Sequence, residues 1–125
     1  MLTRAFPKAI LAGLALGLAA CNKSSTATTP TSTNIVTITS SGVSPKSIQI
    51  SAGSRVRFVN SDNRSHDMTS HPHPEHTQCP EIKQVGFLAA GQSRETGNFV
   101  IVRTCGYHEH DNPEAANLQG SIVIR

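Results

Sequence analysis

The chain has 125 residues, of which 37% are hydrophobic and 4% aromatic, with no Trp and a formal net charge of +3. That length allows one domain and excludes a large multi-site enzyme, a Rossmann domain and a long coiled coil. Without Arg4 and Lys8, which fall in an apolar leader, 9 basic side chains stand scattered against 8 acidic ones, so nucleic acid is not an expected partner.

Residues 1–20 open with those two basic side chains and continue in an apolar run over 9–18. The run is too short to span a bilayer, which takes roughly 20 apolar residues. It ends Leu18-Ala19-Ala20-Cys21, which resembles the bacterial lipobox, where cleavage precedes a Cys that becomes acylated. Cys21 is thus the expected lipidation site; the other reading is an ordinary signal or weak anchor with a stray Cys. Each buried CH₂ of an acyl chain contributes about 0.8 kcal/mol, so several chains make a lasting membrane anchor. Residues 21–34 then form a Ser/Thr-rich stretch that can build no core and reads as a disordered tether. The expected location is the cell envelope, on the periplasmic side of a bacterial membrane. Asn22 rather than Asp follows the Cys, which favours the outer membrane. That compartment is oxidising.

Residues 35–125 are the part that can fold, and they show no helical periodicity. Runs at 35–39, 47–50, 55–60, 99–102 and 121–124 are alternating or β-branched, and turn residues such as Gly42, Pro45, Gly53 and Asn63 separate them. Short strands at this spacing predict an all-β antiparallel sandwich or barrel. Residues 70–80 hold three prolines and three histidines and must be loop.

All six histidines lie between His66 and His110. Two strand ends carry metal-competent side chains: His66 after the 55–60 strand, and Cys105-Gly106-Tyr107-His108-Glu109-His110 after the 99–102 strand. A thiolate with two imidazoles is the trigonal set that selects copper and gives a blue electron-transfer site. If a tight turn follows the 99–102 strand, the Cys-x₂-His spacing presents both ligands on one side.

The order of pieces resembles the cupredoxin family, the plastocyanin-like blue copper domains. It is carried by Pro45-Lys46-Ser47-Ile48-Gln49-Ile50, then Gly53 through Asn60, then His66. Gly91, Cys105-Gly106-Tyr107-His108 and the closing Gly120-Ser121-Ile122-Val123-Ile124 complete it. The resemblance implies a Greek-key antiparallel β-sandwich of seven or eight strands. It also implies one copper ion cycling between Cu(I) and Cu(II), ligated by His66, Cys105 and His108, and no enzymatic activity of the domain's own. His110 is an alternate ligand because Cys-x₄-His also fits a family spacing. Where the family usually places an axial Met, this chain has Leu118, so either Gln119 is the axial donor, with Met68 a lesser candidate, or the axial place stays empty.

Cysteine arithmetic leaves a second reading open. With Cys21 set aside, Cys79 and Cys105 are the two remaining thiols, and in an oxidising compartment they are candidates for a disulfide. A bridged Cys105 is no thiolate. The function classes are therefore a membrane-anchored electron carrier with an unspecified redox partner protein, a copper-binding or trafficking lipoprotein with a histidine-only site, and a metal-free sandwich. His71, His73 and His76 read either as a solvated surface loop or as a metal-capture segment.

Overall fold

The computed structural model describes residues 29–125, with 13 and 17. The leader, Cys21 and most of the tether lie outside the described residues. No helix among the described residues is long and apolar enough to cross a membrane.

Ten strands are present among the described residues: β1 (Thr31–Ser32), β2 (Ile35–Thr39), β3 (Gly42–Ser44), β4 (Ser47–Ile50) and β5 (Arg57–Asn60). They continue with β6 (His66–Ser70), β7 (Gly86–Leu88), β8 (Ser93–Glu95), β9 (Thr104–Glu109) and β10 (Gly120–Ile124). One sheet runs β1-β4-β10-β9-β6-β7 and the other β3-β2-β5-β8. The expected all-β sandwich is therefore present, with more strands than the seven or eight expected, but it is not wholly antiparallel: β4 pairs parallel with both β1 and β10, and β2 pairs parallel with β5. β1 falls inside the stretch read as tether, where Thr31 and Ser32 pair with Ile48 and Gln49 of β4.

Period-two alternation explains the core. Val36 and Ile38 of β2, Ile48 and Ile50 of β4, Phe58 of β5 and Ile122 and Ile124 of β10 are all buried, while most of their chain neighbours are not. Burial of each such side chain contributes about 1.5–3 kcal/mol, which is what holds the register. Tyr107 of β9 joins them, its ring edge-on to Phe58 at 5.1 Å. Asn60 anchors the turn that leads to His66: its amide donates to the carbonyls of Arg64, Leu88 and Ala89, and its Oδ1 accepts from Asp62 N.

The predicted strand at 99–102 is not one. Phe99 makes a single bridge to Ser54, and Val100, Ile101 and Val102 are exposed. β-Branched side chains favour a pleated, half-buried surface, but here no strand pairs with residues 100–102 to supply it. The paired strand begins at Thr104, lying between β10 and β6.

Candidate metal centre

That shift decides the site. Cys105 and His108 lie within a strand and not in the turn after one. Side chains alternate across a strand, so an odd spacing of three puts them on opposite faces of the sheet. The β6–β9 register confirms the assignment: Met68 faces Glu109, and Thr69 faces His108. His66, Met68 and Ser70 thus share the core face with Cys105, Tyr107 and Glu109. Gly106, His108, Thr69 and His71 share the other face.

The expected His66–Cys105–His108 triangle is therefore not assembled. Cys105 is joined to Cys79 by a disulfide with Cα atoms 5.8 Å apart, as the second reading anticipated, and both residues are fully buried. His66 is held between two carboxylates. Its Nδ1 lies 2.7 Å from Glu109 Oε2 and its Nε2 lies 2.9 Å from Asp62 Oδ2. Both ring nitrogens are engaged by carboxylates, so neither is open to a metal. The His66 hydrogen bond is the main cause that holds the Asp62 carboxyl below its usual range. Glu109 is further fixed by Asp67 N, which donates to Oε1 at 2.8 Å. Met68 is a core side chain on the same face. Gln119 spends its amide on the Pro113 carbonyl at 2.7 Å.

What gathers instead is a cluster of imidazoles. His71, His73 and His76 come from the loop after β6; His108 and His110 come from β9 and the residue after it. His71 stacks on His108 with centroids 4.9 Å apart, and His76 lies 5.1 Å from His108 and 5.0 Å from His110. His73 packs against His76, His108 and His110 at 5.2–5.8 Å. One nitrogen from each of His73, His76 and His110 can be chosen so that all three lie within 4.8 Å of one another. His110 Nδ1 and His76 Nε2 are 3.2 Å apart.

Local structure pins the loop. His76 sits at φ 54°, a left-handed conformation uncommon outside glycine, where Pro72 O accepts from its backbone N–H. Its Nδ1 donates to the Ser70 carbonyl at 2.9 Å; because a carbonyl only accepts, Nε2 keeps its lone pair. Gln78 Oε1 accepts from Gly106 N, and the Cys79–Cys105 bridge closes the loop onto β9.

At His108 and His71 the electrostatics favour the neutral ring. His108 is excluded from solvent, and burial first, then the neighbouring imidazoles, push its pKa down to about 4. His71 is shifted the same way by burial and by His76. Nε2 of His108 is buried without a hydrogen-bond partner. Neutral imidazoles with free lone pairs are what a transition metal takes.

Solved structures share this architecture. Oxidized plastocyanin from Dryopteris crassirhizoma superposes with a TM-score of 0.56 at 18% identity, covering 73% of this chain and 99% of its own. The fold is that of the cupredoxins. A purple cupredoxin from Nitrosopumilus maritimus gives a TM-score of 0.55 at 17% identity, covering 74% of this chain and 100% of its own. An oxidized proline-to-alanine variant of amicyanin gives 0.58 at 15% identity, covering 73% and 80%. No protein-family profile and no curated protein matches the chain.

Sequence reasoning named His66, Cys105 and His108 as the ligands with His110 as an alternate; the structure brings His108 and His110 into the imidazole cluster and leaves His66 and Cys105 outside it. Sequence reasoning left His71, His73 and His76 between two readings. The signal that pointed to them was the crowding of every histidine into one third of the chain.

Proposed function

We propose that this chain is a copper-binding protein of the cupredoxin fold with a site made of imidazoles alone. It is held at a bacterial membrane, on the periplasmic side, by a lipid on Cys21, and it carries and hands over copper without transforming a substrate. The observation that carries the reading is the convergence of five imidazoles on one sheet face around a buried, neutral His108. Imidazole serves copper in both oxidation states, and Cu(II) leads the divalent series in affinity for nitrogen donors. A structural neighbour, an amicyanin variant, is recorded with Cu(I). His73, His76 and His110 would hold the ion, with His108 beside them. The thiolate-centred carrier is disfavoured because the sulfur of Cys105 is bonded to Cys79.

The test uses the full chain purified in detergent, given Cu(II), with a visible spectrum and a free-thiol count on the same sample. Pale Cu(II) binding with no free thiol at Cys79 or Cys105 is expected. Intense thiolate-to-copper absorption would restore the electron carrier, and no uptake would leave a metal-free sandwich.

A further inference from the structure

We propose that His71 is a positioning residue that accepts the Nδ1–H of His108 and so leaves Nε2 of His108 as a bare, buried lone pair, free to join as a fourth donor the ion held by His73, His76 and His110, whose nitrogens group within 4.8 Å of one another without it. This rests on the copper-binding reading above. The two Nδ1 atoms are 3.1 Å apart, a hydrogen-bond distance, so one of them carries the shared proton. Two assignments exist. If His71 donated, the proton of neutral His108 would sit on Nε2, as a buried N–H with no acceptor. Orphaned buried N–H groups are rare and costly. If His108 donates, the unpartnered atom is a bare lone pair, which a metal completes.

His71 is built for the task. Its backbone N–H donates to the Gly106 carbonyl at 3.0 Å, and its ring lies nearly parallel to that of His108, 21° off. The ring occupies the space a Cβ on residue 106 would fill, so glycine there is what lets His71 lie against β9. The site repeats one device: His76 has its tautomer set by the Ser70 carbonyl, and His108 has its own set by His71.

The metal-free full chain in detergent, labelled with ¹⁵N-histidine, reports the tautomer by NMR; His108 is expected to be protonated at Nδ1 and bare at Nε2. Titration with Cu(II) alone then compares variants. His71→Ala is expected to weaken binding roughly 10–100-fold, the usual effect of removing a residue that orients a ligand. Gly106→Ala, which displaces the His71 ring without removing it, is expected to do the same. His71→Asn, whose Oδ1 can stand in for Nδ1 as acceptor, is expected to restore most of the affinity. The nitrogen hyperfine pattern of the copper EPR spectrum should match between His71→Asn and the wild type. A protonated Nε2 on His108 overturns the inference alone. So does His71→Ala with wild-type affinity, or His71→Asn as poor as His71→Ala. The expected tautomer with no copper uptake overturns the copper reading, and the donor assignment with it.

Discussion

Replacing Cys79 by Ser separates the two copper chemistries and has a magnitude that follows from the chain. The bridge joins residues 26 apart in sequence. Chain-entropy arithmetic for a loop of that length gives about 3.5 kcal/mol of stabilisation. Small domains have only about 5–15 kcal/mol in total, so the loss is a large fraction and shows directly in a urea or guanidinium midpoint. The variant frees the Cys105 thiol, but Cys105 shares the core face with Tyr107 while the imidazoles lie across the sheet. The freed sulfur therefore stays away from copper, and no intense charge-transfer colour develops. Copper binding weakens, because the loop carrying His71, His73 and His76 loses its covalent tie to β9. The assay is a denaturation curve beside a copper titration and a visible spectrum. Unchanged stability, or a strong blue colour in Cys79→Ser, would refute the reasoning.

Three further outcomes are expected. Acidification destabilises the metal-free fold between about pH 6.5 and about pH 4, since unfolded histidine titrates near 6.5 and His108 near 4. In that window the unfolded chain binds more protons, so stability falls as pH falls; midpoints at several pH values check it, and a flat profile contradicts it. His66→Ala leaves copper stoichiometry intact and lowers the denaturation midpoint, because it strands the carboxylates of Asp62 and Glu109 without their shared donor; loss of copper in that variant would return His66 to the ligand set. Gly120→Ala destabilises by roughly 1–3 kcal/mol through overpacking, because the new Cβ overlaps the Tyr107 hydroxyl and meets the Lys46 carbonyl, and thermal melts measure it.

Much of this architecture was legible in the amino-acid order. Alternation at Ile48-Gln49-Ile50 and at Ile122-Val123-Ile124, with turn residues between the runs, dictates strands that bury one face. That is local physics, and a two-sheet sandwich follows from it. The crowding of histidines likewise announced a site. Tertiary pairing alone decided where β9 begins, and everything at the site depends on that offset. Placed after a strand, Cys105 and His108 share a side; placed inside one, they are separated by the sheet, and the sulfur finds Cys79 instead. The exposed Val100-Ile101-Val102 run misled because β-branched side chains favour a strand only where a neighbouring strand pairs with them. Pairing is a long-range property, fixed by which distant segment arrives alongside. At Cys105 and His108, where no apolar alternation marks the strand's start, the face each side chain occupies is settled only once β10 and β6 are in register.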